Sequence, residues 1–539
     1  MKRHIWEDFV RKIALEDRVV TKQLRRAVEL RPDATFLDFP DVSFSYARFD
    51  ELTNSIANSL RALGLEKYGK IAILARNGPE FLSTWFAAAK LGAMYVPINT
   101  DYKGEILRYQ LDNADVTHIL IDPEFLERLD EVIDELPKLR HVIVSAESDL
   151  PSRVFKRPAS VAAELAHGPR HDPNIPVSFD DPHAISFTSG TTGPSKGVLT
   201  VNAHVVRFAW DWARYMEFET HEAIYTPLPM FHAIGSWLGV LPTVLNAARI
   251  AVAPRFSASS YWNDVRKAKA DIAHGIFSMV PILLKQPERP DDADQPARAF
   301  YNGNENPEFE KRFKCRIVEV YGATETGIVA GNSVTDSRLQ GSCGKPNGET
   351  FDVAIVDEHD APVKPGEIGE IVIRPKEPHA ILREYYKKPE ATAEAFRDLW
   401  FHTGDNGRID ASGHLYFVDR KKDAIRRRGE NISSYELEFA INLHPDILEC
   451  AAVAVVSDLG EDEVKVVVVL KPGVSTSAVD LWEFFEQKLP RFWIPSFIEL
   501  SPNLPKTGSH KVQKFLLKTR GEANSLYARD SKTGEIKEL

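Results

Sequence analysis

The chain has 539 residues, 43% of them hydrophobic and 27% charged, with a net charge of -11 and a pI near 5.9. That length predicts more than one domain. The acidic balance excludes a general nucleic-acid or anionic-membrane binder, since both need a basic surface. Cys315, Cys343 and Cys450 are widely scattered, which excludes a zinc or disulfide framework. As buried thiols they fit a reducing compartment, the cytoplasm. The N-terminal "MKRHIWEDFVRKIALEDR" is charged throughout and lacks the apolar stretch of a secretion signal.

The first half alternates strands and helices. Lys70–Arg76 and Gly92–Asn99 read as buried strands, and Pro79–Gly92 between them as a helix, with Pro at its start and Gly after its end. Thr117–Asp122 and His141–Glu147 continue the pattern, which implies parallel sheets with helices on their faces. Phe231–Ala253 is the most apolar segment, but Pro242, Asn246 and Arg249 make it buried core, not a membrane span. From about residue 340 to 419 the texture becomes β-rich, with two strand runs joined by a Pro/Gly turn in Phe351–Pro375. His414–Pro445 reads as a strand, a basic loop and a helix. Cys450–Asp458 and Glu463–Gly473 are strands, followed by a helix at Val479–Lys488.

The expected class is therefore α/β and α+β. A large N-terminal domain over 1–419 has parallel-rich sheets, flanking helices and a β-rich subdomain. A hinge lies at 420–422, and a small mobile α+β domain covers 423–539.

Five stretches carry chemistry. "SFTSGTTGPSKGVLT" (Ser186–Thr200) is a hydroxyl-lined loop with one ammonium group, Lys196. It is not the common phosphate loop, which needs Gly before its Lys and Ser or Thr after it; here Ser195 and Gly197 stand there. Its hydroxyls and backbone N–H groups can still wrap phosphate oxygens. "VYGATETG" (Val320–Gly327) offers an aromatic, two hydroxyls and a carboxylate. "WFHTGD" (Trp400–Asp405) ends in a turn carboxylate suited to a ribose diol. "DRKKDAIRRRGENI" (Asp419–Ile432) places six cations between Arg420 and Arg428. "LPKTGSHKVQK" (Leu504–Lys514) is a second Lys-bearing loop. Taken singly, each reads more readily as a linker, a tight turn or a solvated face. Their joint presence in this order indicates a nucleoside triphosphate site.

With "PLPMFHAIGS" (Pro227–Ser236) and "GEIGEIVIRP" (Gly366–Pro375), these stretches resemble, in order and over essentially the whole chain, the adenylate-forming superfamily. That superfamily comprises acyl-CoA synthetases, peptide-synthetase adenylation domains and luciferases. The chain is most similar to its acyl-CoA ligase branch, of the carnitine/crotonobetaine or medium-to-long-chain kind. The resemblance implies a carboxylate plus ATP giving an acyl-adenylate and pyrophosphate, then attack by the CoA thiol. It implies that Thr188, Ser189, Gly190, Thr191, Thr192 and Lys196 hold the leaving phosphates. Tyr321 and Gly322 would lie at adenine, Thr324 at the α-phosphate and Glu325 at Mg²⁺, with Asp405 and Arg420 on the ribose. Lys422 matches the hinge, and Lys511 the lysine of adenylation. The family places Gly just before that lysine, where this chain has His510, with Gly508 two residues earlier; Lys506 and Lys514 are its rivals. Gly303 and Asn304, in a stretch more polar than the family's adenine turn, would lie beside the nucleotide. Arg426, Arg428, Gly429 and Glu430 would line the CoA tunnel.

His232, Trp237, Phe277 and Gly327 would frame the acyl pocket, with Trp210, Trp212, Phe277–Val280 and Asn302–Asn304 as further wall candidates. Quaternary-ammonium, fatty, aryl-alkyl and steroid-type acids all remain open. The partners implied are ATP, CoA and a small carboxylic acid, with no nucleic acid and no integral membrane segment; a homodimer is the candidate assembly. The alternatives are an enzyme loading a carrier protein in trans and a non-catalytic nucleotide binder. No carrier-serine motif stands in this chain, and no acid occurs in "MFHAIGSW", where amino-acid activation usually shows one.

Overall fold

The computed structural model describes residues 13–146, 157–188, 195–277, 279–301, 305–420, 424–428, 430–456, 462–505, 512–519, 525–530 and 533–539. The chain divides into two compact units. One comprises 1–100, 111–187 and 197–419; the other comprises 101–110, 188–196 and 420–539.

The first unit is built on two large sheets. An eight-stranded sheet orders Glu384–Tyr385, Lys196–Val201, Pro182–Thr188, Met94–Pro97, Lys70–Leu74, His118–Ile121, His141–Val144 and Ala159–Val161. Its central pairs are parallel. A seven-stranded sheet runs from Arg316–Val318 through Ala299–Tyr301, Ile272–His274, Ala223–Thr226 and Arg249–Val252 to Thr35–Asp38, all parallel, with Ser43–Ser45 antiparallel at the edge. The expected strands are thus present, each shorter by a few residues at its ends.

The helix between the first two strands covers Pro79–Lys90, with Pro in its first turn, and is buried from Phe81 to Lys90. A helix apolar on every side has to lie inside, and each large side chain such as Trp85 or Phe86 contributes about 1.5–3 kcal/mol by leaving water. The one cation in this run, Lys90, is held by Asp50 and Asn54. Phe231–Ala253 is core, as expected, and no helix among the described residues is long and apolar enough to cross a membrane. All three cysteines are buried and free.

The β-rich part is an antiparallel sheet of Phe351–Val356, Gly369–Pro375, Trp400–Ile409 and Phe396–Arg397, with Leu415–Arg420 pairing to Trp400–Ile409. In the second unit, Ile447–Val456, Asp462–Leu470, Phe497–Leu500, Ser525–Arg529 and Ile536–Glu538 form one sheet. The helix Ala478–Lys488 packs on it and starts from a capping box between Ser477 and Asp480. The region read as a basic loop is instead a hairpin of Ala424–Arg427 with Glu430–Ser433. Its period of two sends Ile425 and Arg427 inward and leaves Arg426 and Arg428 exposed.

Two histidines of the first unit, His183 and His274, are buried, and burial pulls each imidazole down to about 3. His183 Nε2 accepts from Trp85 Nε1 at 3.0 Å, which suits a neutral ring. Below the ordinary imidazole value of about 6.5 the unfolded chain binds protons that the folded chain does not. Stability fully present at neutral pH is therefore lost progressively as the pH falls from about 6.5 toward 3. The melting temperature should drop between about pH 7.5 and pH 5, and His183→Gln should make that dependence shallower. A melting temperature constant over that interval would contradict this linkage.

Candidate active site

The "YGATETG" stretch is a hairpin. Val320–Ala323 pairs antiparallel with Gly327–Gly331, with a register shift after Tyr321. Thr324–Thr326 forms the turn, closed by the Thr326 amide on the Ala323 carbonyl and by the Ala323 amide on Thr326 Oγ1. A Cβ at Gly322 would lie 2.1 Å from the Gly327 carbonyl oxygen, so only glycine lets the two strands close this tightly.

The turn is anchored from outside. His204 Nε2 lies 3.0 Å from the Thr324 carbonyl oxygen, and its Nδ1 lies 2.9 Å from that of Ala380. Both partners are acceptors. A charged ring would satisfy both and a neutral ring only one, and burial opposes the charge and lowers the His204 pKa. The Leu382 amide donates to the Glu325 carbonyl at 2.7 Å, and the Tyr385 hydroxyl donates to Glu325 Oε1 at 3.3 Å. Tyr385 belongs to the edge strand opposite Val198.

Asp405 is buried within Trp400–Ile409; the expected turn is an irregularity inside a long strand, with Gly404 at φ 75°. The Tyr321 hydroxyl donates to Asp405 Oδ2 at 2.8 Å, so the proposed adenine and ribose contacts are brought together. The ring of Phe417 lies 6.2 Å from that of Tyr321.

His232 sits half-buried in a loop held by Asn77, whose Oδ1 accepts from the Met230 amide and whose Nδ2 donates to the Leu228 and Ala253 carbonyls. Gly235 passes so close to the Pro229 carbonyl that a Cβ would lie 2.3 Å from its oxygen. The chain then enters a wide helical turn at Ser236–Val240, which buries Trp237 against Tyr95, His204 and Phe208. Phe208 in turn covers Gly327, whose Cβ position is 3.5 Å from the ring. Trp237, Gly327, Thr324 and Glu325 therefore belong to one cluster, and His204 and Phe208 bind it together. Phe277 is half-buried in the loop that follows Ile272–His274.

The two tryptophans of the helix Asn202–Tyr215 part company. Two residues turn the helix by about 200°, so Trp212 faces His274 and Tyr301. Trp210 instead lies under the guanidinium groups of Arg18 and Arg207, 5.4 and 4.6 Å from its centroid. Both arginines bind Glu377.

In the second unit, Thr188 and Lys196 flank the hydroxyl-rich loop in the chain, and both are half-buried. The Ser195 amide donates to Glu436 Oε1 at 2.6 Å and its carbonyl accepts from the Tyr109 hydroxyl at 3.0 Å. Ser189, Gly190, Thr191, Thr192, Gly303, Asn304, Lys422, Gly429 and Lys511 lie outside the described residues, as does the side chain of Arg420. Lys514 is engaged by Glu438 at 2.8 Å and Ser434 at 2.7 Å. Glu430 is half-buried.

Of the three consecutive arginines, Arg427 is structural. It donates to the carbonyls of Phe492 and Ile494, to Ser496 and to Glu463. Among the described residues one further acid–histidine cluster gathers Asp360, Glu370 and His402. The Arg397 guanidinium bridges its two acids, which accounts for the charge there. His204 and Tyr385 were invisible in the sequence, because no motif stretch contains either.

The family model described as AMP-binding enzyme matches residues 24–386, and the one described as AMP-binding enzyme C-terminal domain matches 436–511. The chain belongs to the AMP-binding enzyme family. A crotonobetaine/carnitine–CoA ligase of Salmonella paratyphi B is 33% identical over 488 residues, which cover 88% of this chain and 93% of the relative. The enzyme of the same name from Salmonella heidelberg is 34% identical over the same length. Among solved structures, an o-succinylbenzoate CoA synthetase from Bacillus subtilis, bound with a product analogue, superposes with a TM-score of 0.79 at 22% identity, covering 96% of this chain and 99% of its own. A fatty acyl CoA synthetase of Mycobacterium tuberculosis superposes with a TM-score of 0.66 at 26% identity, covering 93% and 98%. This AMP-binding enzyme is an acid–thiol ligase. It joins a carboxylate to CoA at the expense of ATP, through an acyl-adenylate.

The hairpin makes a sharp distinction between neighbours. Arg427→Ala would leave Glu463 and two carbonyls without their cation. It should destabilise the second unit by about 3–5 kcal/mol, read from denaturant unfolding. Arg428→Ala, at an exposed position, should leave unfolding unchanged within about 0.5 kcal/mol. Equal effects of the two substitutions would overturn the assignment of inward and outward faces.

Proposed function

We propose that this ligase binds Mg²⁺ and ATP, with the hydroxyl-rich stretch Thr188–Lys196 serving the leaving phosphates and the Thr324–Thr326 turn serving the α-phosphate and the metal. Tyr321 lies against adenine, Asp405 and Arg420 hold the ribose, Thr324 meets the α-phosphate and Glu325 serves the metal. The observation that carries this reading is the pair of phenol–carboxylate hydrogen bonds around one hairpin, Tyr321 on Asp405 and Tyr385 on Glu325. Each phenol orients a carboxylate before any ligand arrives. Glu325 offers the hard oxygen that Mg²⁺ takes, and one or two carboxylates beside phosphate oxygens are its usual protein contacts. The ion would neutralise phosphate charge; the residues do the positioning.

A carboxylate is a weak nucleophile and must approach an anionic phosphate. Lys511 would place its cation between them as the new carbon–oxygen–phosphorus linkage forms and pyrophosphate leaves. The thiol of CoA then attacks the acyl carbonyl and AMP departs. Arg426 and Arg428, on the exposed face of the hairpin, suit the phosphates of CoA. The engagement of Lys514 by Glu438 and Ser434 supports Lys511 as the lysine of adenylation. Three buried free thiols fit a cytoplasmic ligase.

The acid would lie along the face presented by Phe208 and Trp237, with His232 toward the thiol. The relatives activate crotonobetaine or carnitine, so a short acid is the first class to test. Pyrophosphate exchange over a panel of acids, followed by detection of a free CoA thioester, tests the whole reading; a thioester formed only on a carrier protein would replace CoA as the acceptor.

Two sets of variants test the parts. Lys511→Ala should lose adenylation by about 10²-fold or more and largely keep CoA attack on supplied adenylate. Lys196→Ala should likewise slow adenylation more than thioester formation, whereas Lys514→Ala should spare adenylation chemistry. If Lys514→Ala abolished adenylation and Lys511→Ala spared it, the lysine would be reassigned. Tyr385→Phe should raise the KM for Mg²⁺–ATP by about 3–10-fold, as expected for the loss of one long hydrogen bond worth about 1 kcal/mol, with the acid KM unchanged. An unchanged nucleotide KM would remove Tyr385 from the site.

A further inference from the structure

The helix Asn202–Tyr215 presents His204, Phe208 and Trp212 at intervals of four, so the three share one face. His204 meets the Thr324 carbonyl at one end of this face, and Phe208 covers Gly327 in the middle. Trp212 lies about 12 Å beyond His204, from eight residues at 1.5 Å each. There its ring is 5.3 Å from His274 and 5.5 Å from Tyr301. His274 and Tyr301 are aligned partners that close neighbouring parallel strands at their C-terminal ends. In open α/β sheets that edge is where ligands bind.

This far end has a polar character that packing does not explain. His274 is fully buried, and among the described residues nothing hydrogen-bonds either ring nitrogen. The indole Nε1 of Trp212, also fully buried, has no partner there either. Buried polar groups are almost always hydrogen-bonded, and leaving one unmet is costly. Two such groups, side by side, at the far end of the face whose near end meets the Thr324 carbonyl, point to a ligand that meets them. A neutral imidazole offers one donor and one acceptor, and the indole one more donor. A trimethylammonium group could rest on the rings but forms no hydrogen bond and would leave all three positions unmet. A hydroxyl group both donates and accepts.

We propose that His274 and Trp212 are specificity residues at the distal end of the acyl site, and that the preferred substrate is a carboxylic acid carrying an uncharged hydroxyl group remote from its carboxylate. This rests on the ligase reading above and sharpens it by naming the class of acid.

The test is kcat/KM for acyl-CoA formation over matched pairs of straight-chain and aryl acids, each with and without a distal hydroxyl, together with 4-(trimethylammonio)butanoate. For at least one length the hydroxy acid should exceed its parent by about tenfold or more. His274→Leu and Trp212→Phe should each bring that ratio toward one while leaving the KM for ATP unchanged. His274→Leu should keep or raise the melting temperature of the ligand-free protein, because it removes an unpartnered buried group. A preference for the parent acids or for the trimethylammonium acid overturns the proposal, as does a hydroxyl preference that survives both substitutions or a His274→Leu protein that melts markedly lower. In all of these cases the ligase reading stands; that reading falls separately if no acid supports pyrophosphate exchange.

Discussion

The geometry of the site depends on one backbone constraint, the close approach of the two strands at Gly322 and Gly327. Because no side chain stands between them, the Thr324–Thr326 turn is short and stiff. Its carbonyls at Thr324 and Glu325 are then received by His204 and by the Leu382 amide, groups that come from a helix and a strand-leading segment far apart in the chain. A carboxylate on such a turn has few places to go. The Tyr385 phenol narrows them further.

From that turn the functional elements extend in two directions. On one side, Tyr321 reaches Asp405, so a residue of the hairpin and a residue of the antiparallel sheet are tied by one hydrogen bond. On the other, Gly327 meets Phe208, Phe208 meets Trp237, and the same helix continues to Trp212, which meets His274. The helix Asn202–Tyr215 thus runs from the Thr324–Thr326 turn to His274, with one face in contact along its length. Its opposite face has another task. Arg207 and Arg18 enclose Trp210 and share Glu377, and Arg207 also binds Asp211, which anchors the helix in the unit.

The second unit shows how a charge-rich stretch divides its labour. Six cations between Arg420 and Arg428 look alike in sequence. Strand alternation turns Arg427 inward, where Glu463, Ser496 and two carbonyls compensate its burial, and turns Arg426 and Arg428 outward. Structural and exposed arginines therefore alternate at successive positions.

The sequence by itself determined the fold class, the family and the acid–thiol ligase activity. Alternating strand and helix patterns mark a parallel fold because a buried strand and an amphipathic helix need different residue periods. The hydroxyl loop, the "YGATETG" turn and the two lysine-bearing stretches are legible because a polyphosphate demands short polar side chains, glycine and a cation close together in the chain. What surrounds those groups was decided by tertiary structure alone. His204, Phe208, Trp212, His274 and Tyr385 carry no local signal, since any of them could be an ordinary core residue. Their roles arise from contacts between elements dozens to hundreds of residues apart. The separation of Trp210 from Trp212 and of Arg427 from its neighbours is of the same kind: the helical turn and the strand pleat set opposite faces, and only packing decides which face meets the site. The acyl substrate was illegible for that reason, because its recognition belongs to side chains that the fold, not the motif, assembles.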